Sequence, residues 1–184
     1  EIIKNKAFNI LSVEGNQGND PYNILLNIAN VLDKKNIEYK IHIVGKIDNN
    51  QNLVNNKNFK FYGHVDKNKL LDLYNLCDCY ILTDYLGAGC PNSVLESLSC
   101  GCPVVSFNKG PVIELVKHKY NGYIMNADND IMAGKKINNF DIIIDAINYI
   151  KNNYKTLSLN ARKYAVKNHS LNIISKKYAK TFKL

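Results

Sequence analysis

The chain of 184 residues is predicted to fold as an α/β protein: a doubly wound parallel sheet with helices on both faces and further helices at its carboxyl end. Three observations predict it. Short apolar runs that read as buried strands alternate with segments of helical periodicity almost throughout. Neither an internal repeat nor a long linker interrupts the alternation, and the length suits one domain with a buried core. From Asp141 on, the chain carries helical patterns alone.

The first strand is expected over Phe8–Val13, followed by the loop "EGNQGND". Asp20 and Pro21 then supply an N-cap and a first-turn proline, and Ile24, Leu25, Ile28 and Leu32 recur at helical spacing. "YKIHIVG", Tyr39–Gly45, is a second strand, Gln51–Asn56 a weak helix or turn, and "FKFYGHV" a third strand ending at Gly63. Asp66 caps the next helix, whose apolar positions are Leu70, Leu71, Leu73 and Tyr74. A strand over Cys79–Thr83 leads into a glycine-rich loop. A helix then opens at Asn92 or Ser93 and stops at Gly101, a residue suited to the left-handed position after a helix. Pro103–Phe107 is a strand, Gly110-Pro111 starts a short helix through Val116, and "NGYIM" gives a turn and a last strand. Helices are expected at Asp141–Asn153, Tyr154–Lys167 and Ser170 to about Phe182, with the polar segment Asn126–Asn139 as a loop. In such sheets ligands bind outside the carboxyl ends of the strands, so the loops after Val13, Gly45, Gly63, Thr83 and Phe107 are expected to line one rim.

Composition narrows the function classes. The chain is 46% hydrophobic and 22% charged, as soluble globular proteins are, and no apolar run approaches the roughly 20 residues that span a bilayer. The start "EIIKNKAF" has no apolar core, so no signal peptide is expected; it has no Met either, so the chain is expected to be cut from something longer. A net charge of +8 suits an anionic ligand, a membrane surface or a nucleic acid. The lysines are scattered and Arg162 is the only arginine, so nucleic acid is not the expected partner. Five cysteines, Cys77, Cys79, Cys90, Cys100 and Cys102, form an odd set that suits a reducing compartment. Their C-x-C pairs lack the spacing of common zinc sites and read as small buried residues at strand edges.

The candidate chemistry lies in "LTDYLGAGCPNSVLESLSCGCPVVSF", Leu82–Phe107. Gly87, Ala88 and Gly89 let the backbone approach a ligand, and the helix opening at Asn92 presents unpaired N–H groups to an anion. The pair is compatible with a diphosphate site, although a bare G-x-G is a weak signal, and it lacks the third glycine of the dinucleotide fingerprint, which disfavours an oxidoreductase. Glu96, one turn into that helix, accepts hydrogen bonds from ribose hydroxyls if it faces the rim; otherwise it is a solvated surface glutamate. Glu114 is explained by the dipole of its own helix.

The run from Phe61 to Met125 resembles the carboxyl half of group 1 glycosyltransferases, the retaining family 4 with the two-domain GT-B fold. The residues that carry the resemblance are Phe61/Gly63/Val65, Leu70 to Asp78, Pro91 to Val105, Gly110/Glu114/Val116 and Asn121-Gly122, and the tail "LNARKYAVKNHSLNIISKKYAKTF" is similar as well. The resemblance implies a Rossmann-like domain, half of a GT-B fold, that binds a nucleotide-diphosphate sugar, with the acceptor held by a second half not in this sequence. Residue by residue, it implies that Glu96 grips the ribose and that the backbone at Gly89 and Cys90 meets the sugar. It places the amides of Val94 and Leu95 at the diphosphate and His64 and Val65 near the base. It implies no obligatory metal, and Asp128-Asn129-Asp130 is read as a chance match to a metal-binding pattern. It implies an enzyme of glycan, glycolipid or glycoprotein synthesis in the cytoplasm, with peripheral membrane association as a further expectation.

Two departures from the family's pattern stand out. Ala88 occupies the place of the first glutamate of the E-x7-E motif, with Asp84 as a distant substitute. The loop after the first strand, "VEGNQGNDP", carries Glu14 where the family has an Arg and a Lys. Lys46 and, better, Lys109 are the expected compensating cations, so Glu96 and Lys109 are the candidate catalytic residues. The departures motivate the alternative of a binding module that has lost catalysis; a related nucleotide-sugar epimerase is a second alternative, for which no acid/base pair is found.

Overall fold

The computed structural model describes residues 7–14, 21–45, 55–83, 91–126 and 140–182. Within them, six strands form one sheet: β1 (Phe8–Glu14), β2 (Tyr39–Gly45), β3 (Phe59–Phe61), β4 (Cys79–Ile81), β5 (Val104–Phe107) and β6 (Gly122–Met125). The helices are α1 (Pro21–Lys34), α2 (Lys67–Leu76), α3 (Asn92–Ser99), α4 (Val112–Leu115), α5 (Ile142–His169) and α6 (Leu171–Phe182). The sheet order is β3-β2-β1-β4-β5-β6 and each pair is parallel. The expected doubly wound sheet is therefore observed. Winding goes outward from β1 to β3, returns to the middle at β4 and continues to β6, so the topological switch point lies between β1 and β4.

Alternation along the strands divides the core into two layers. Phe8 and Ile10 of β1, Ile41 and Ile43 of β2, and Cys79 and Ile81 of β4 pack with Leu25, Ile28 and Leu32 of α1. Leu11, Val44, Tyr80 and Val104 point the other way, to Leu73 and Tyr74 of α2, Val94 and Leu98 of α3, and Val112 and Leu115 of α4. A period of two in the strands and of three to four in the helices produces these layers.

The carboxyl helices correct the expected boundaries. The predicted break at Asn153/Tyr154 is absent, and α5 runs unbroken for 28 residues, about 42 Å at 1.5 Å per residue. Its first half buries Ile143, Ala146, Ile147 and Ile150 in the first layer, and its second half buries Ala161 and Ala165 in the second. The pair Asn152-Asn153 interrupts the apolar pattern without ending the helix, which is held by packing on both sides of the pair; the Asn153 side chain donates to the Tyr149 carbonyl one turn back at 2.9 Å. α6 buries none of its residues.

Two glycines of the quoted motifs are structural. Gly101 has φ +72°, and a Cβ there would lie 3.0 Å from Ser158 Oγ on α5. Gly122 faces β5 so closely that a Cβ would fall 2.2 Å from the Val104 carbonyl oxygen. Its neighbour Asn121 is fully buried; its side chain accepts from Lys117 N–H at 2.7 Å and donates to the Leu115 carbonyl at 3.0 Å. Asn121-Gly122 thus folds the α4–β6 connection onto the sheet.

Candidate functional site

The elements around the switch point place α2 and α3 side by side over one face of the sheet, each entering from the carboxyl rim. Their amino ends differ. Asp66 caps α2, accepting from the Lys69 N–H at 2.8 Å. Pro91 stands at the N-cap of α3 and supplies no side-chain cap. The first-turn N–H groups of a helix have no intrahelical acceptor, so an uncapped start favours an anion. Val94 N–H donates to the Pro91 carbonyl at 3.1 Å, so this amide of the expected diphosphate pair already has an acceptor inside the first turn.

Between the helices runs a groove of about 420 Å³, lined by Lys67, Leu70, Leu71 and Tyr74 of α2 and by Asn92, Leu95, Glu96 and Ser99 of α3, with Cys100 at its lower end. Asn92, Leu95 and Glu96, three of the expected site residues, meet here because positions three and four apart share a helix face. Asn92 and Glu96 are exposed and Leu95 is half-buried. Val94 points the other way, fully buried in the second layer.

Glu96 is not a loose surface carboxylate. Tyr74 is 2% exposed, yet its hydroxyl reaches the groove and donates to Glu96 Oε2 at 3.3 Å and to the Ser93 carbonyl at 3.1 Å. Burial, with Tyr80 and the Glu96 charge beside it, pushes the Tyr74 phenol well above its ordinary range, so it acts as a donor. Tyr80 lies edge-on to Tyr74 at 6.1 Å, and its hydroxyl is 2.8 Å from Ser93 Oγ. Two buried tyrosines thus tie the first turn of α3 to α2 and β4. The periodicity of α2 marked Tyr74 only as an apolar position; its phenol, which needs a partner when buried, was the available signal.

The other expected residues distribute as follows. His64 is exposed and Val65 half-buried, on the segment that follows β3, which ends at Phe61 and not at the expected Gly63; this segment passes Gly63 at φ +64° and enters α2. Lys109 lies on the loop after β5, half-buried, its N–H donating to the Phe107 carbonyl at 2.8 Å. It shares the carboxyl rim but does not line the groove. Gly87, Ala88, Gly89, Cys90, Asp84, Lys46, Asp20 and the Asp128–Asp130 run lie outside the described residues. Glu14 ends β1 beside the switch point.

Three of the four described cysteines fit the expectation of buried residues. Cys77, Cys79 and Cys102 are buried, and Cys100 is half-buried. Burial pushes their thiols up, that of Cys102 to about 12, which makes them poor nucleophiles. Among the described residues, no group of three or more His, Cys, Asp or Glu is placed to hold a metal ion, and no helix is long and apolar enough to cross a membrane.

Comparison with known proteins adds a family. The family model "Glycosyl transferases group 1" matches residues 3–168. An uncharacterized glycosyltransferase of Haemophilus influenzae is 32% identical over 133 residues, covering 69% of this chain and 37% of that protein. Among solved structures, Anabaena HepE in complex with UDP-glucose superposes with a TM-score of 0.73 at 19% identity, over 96% of this chain and 49% of that one. A glycosyltransferase from Rickettsia africae does so with a TM-score of 0.75 at 17% identity, over 98% of this chain and 48% of that one. The chain thus spans about a third of the curated relative and about half of each solved structure.

Proposed function

The chain belongs to the group 1 glycosyl transferases, and from that premise we propose that it is the donor-binding domain of a glycosyltransferase that moves a sugar, with retention, from a nucleotide-diphosphate sugar to an acceptor hydroxyl. One observation carries the reading. Glu96 presents a held carboxylate one turn below the uncapped start of α3, at the carboxyl rim beside the switch point. A carboxylate suits the paired hydroxyls of a ribose, and an uncapped helix start suits the diphosphate linked to it. The complex of HepE with UDP-glucose, a protein of the same fold, supports this choice of ligand.

In the proposed route, the first-turn amides of α3 ahead of Val94, together with Lys109, stabilise the departing diphosphate, with Gly87, Ala88, Gly89 and Cys90 as the loop against the sugar. Glu96 fixes the ribose, and the segment at His64 and Val65 lies near the base. The bond between the anomeric carbon and the diphosphate oxygen breaks while the acceptor oxygen bonds to the same face of that carbon. The proton of the acceptor hydroxyl goes to the leaving phosphate oxygen. Helix dipole and basic side chains neutralise the diphosphate, so the reading assigns no metal. The acceptor belongs to a second half, because orienting two substrates together supplies a large part of such a rate.

Ala88, in place of a glutamate that faces the transferred sugar, favours a second reading: a domain that binds the donor without transferring it. Steady-state transfer by the full-length protein excludes that second reading. A large rate gain in Ala88→Glu supports it.

A thermal-shift screen of UDP-, GDP-, ADP- and dTDP-sugars tests the donor reading. A ligand at 100 times its dissociation constant stabilises the native state by about 2.7 kcal/mol, which raises the midpoint of a chain this size by roughly 5–10 °C. No shift with any of the four refutes it.

A further inference from the structure

We propose that Tyr74 is a positioning residue of the donor site: its buried hydroxyl holds the Glu96 carboxylate in the orientation that receives the ribose hydroxyls. The inference rests on the reading of Glu96 given above. Glu96 is an exposed side chain on a helix surface, and such a carboxylate samples several rotamers unless something holds it. The one described side chain that donates to it is that of Tyr74, at 3.3 Å to Oε2. Tyr74 itself has no freedom to follow the carboxylate: it is 2% exposed, packs edge-on against Tyr80 and donates a second arm to the Ser93 carbonyl at 3.1 Å.

The arrangement has a defined polarity. A phenol carries one proton, and here it is shared between a carbonyl of the first helical turn and one oxygen of Glu96. That arm leaves lone pairs on both carboxylate oxygens for hydroxyl donors from the groove. Tyr80, whose hydroxyl lies 2.8 Å from Ser93 Oγ, fixes the same turn from the sheet side. The two tyrosines therefore separate experimentally: the Tyr80 hydroxyl meets the Ser93 side chain, and the Tyr74 hydroxyl meets both the helix backbone and the Glu96 carboxylate.

The test measures dissociation constants of UDP, GDP and ADP, and of their 2′,3′-dideoxy counterparts, by calorimetry on the native chain, Tyr74→Phe, Tyr80→Phe, Glu96→Ala and the Tyr74→Phe/Glu96→Ala double variant. Phenylalanine fills the same volume, and thermal midpoints verify that each variant is folded. For the nucleotide that binds, Tyr74→Phe is expected to weaken affinity threefold to tenfold and to shrink the preference for ribose over dideoxyribose. Tyr80→Phe should leave that preference intact. On the Glu96→Ala background, Tyr74→Phe should change affinity by less than about 1.5-fold, because coupled residues are not additive. The proposal is overturned if Tyr74→Phe leaves the ribose preference unchanged, or weakens binding equally with and without Glu96. If Glu96→Ala itself leaves affinity unchanged, the reading of Glu96 fails first and takes this proposal with it.

Discussion

Replacing His42 by glutamine should abolish a defined part of the domain's acid sensitivity. His42 on β2 is 5% exposed, with Nδ1 2.8 Å from the Tyr62 hydroxyl and Nε2 3.1 Å from Asn9 Oδ1. Asn9 N–H in turn donates to Asp78 at 2.8 Å, so the imidazole sits in a polar chain crossing four adjacent strands or their ends. Burial, helped by the charges of Lys60 and Lys40, lowers its pKa from the ordinary 6.5 to about 4. The unfolded chain therefore takes up the proton first on acidification. This contribution to stability is complete above pH 6.5 and declines as pH falls towards 4. The full difference corresponds to about 3 kcal/mol, of which about 2 kcal/mol is lost between pH 7.5 and pH 5. Urea unfolding at the two pH values, on native protein and His42→Gln, isolates the effect, since carboxylate contributions are common to both. With a slope of roughly 2 kcal/mol per molar urea, the native midpoint should fall about 1 M further than that of the variant. Parallel midpoint shifts would mean that His42 is protonated as readily in the fold as outside it.

Other perturbations test the architecture. Gly122→Ala sets a Cβ 2.2 Å from the Val104 carbonyl oxygen, forcing β6 off β5; a loss of at least about 2 kcal/mol is expected in denaturant unfolding. An unchanged midpoint would show that the edge strand yields freely. Asp66→Ala removes the cap bond to the Lys69 N–H and should cost about 1 kcal/mol, read as a drop of a few degrees in thermal midpoint.

Strands and helices were legible because burial imposes its period on the residues. "YKIHIVG" and "PVVSF" are apolar runs that lie inside the sheet, and Asp66 and Gly101 punctuate helices by local chemistry that works without tertiary help. The length of α5 was not legible. Asn152-Asn153 resembles a break locally, and only packing against both layers shows why the helix continues. Glu96 could be singled out from its place after a glycine loop. Its tie to Tyr74 could not, since periodicity records that a tyrosine is buried and says nothing of where its hydroxyl ends. The groove itself is equally tertiary. Leu70 and Leu71 read as apolar positions of one helix and Leu95 as a backbone-amide position of another, and the sheet order brings them together.

The central claim is that the rim beside α3 holds a nucleotide through Glu96. Calorimetric titration of the donor nucleotide into native protein and Glu96→Ala addresses it most directly. Glu96 is exposed, so truncation should leave stability within about 0.5 kcal/mol and confine the effect to binding. One site per chain is expected, with an affinity weakened by roughly 1–3 kcal/mol in the variant, the scale of hydrogen bonds to a charged group. Equal affinity in native protein and variant would contradict it.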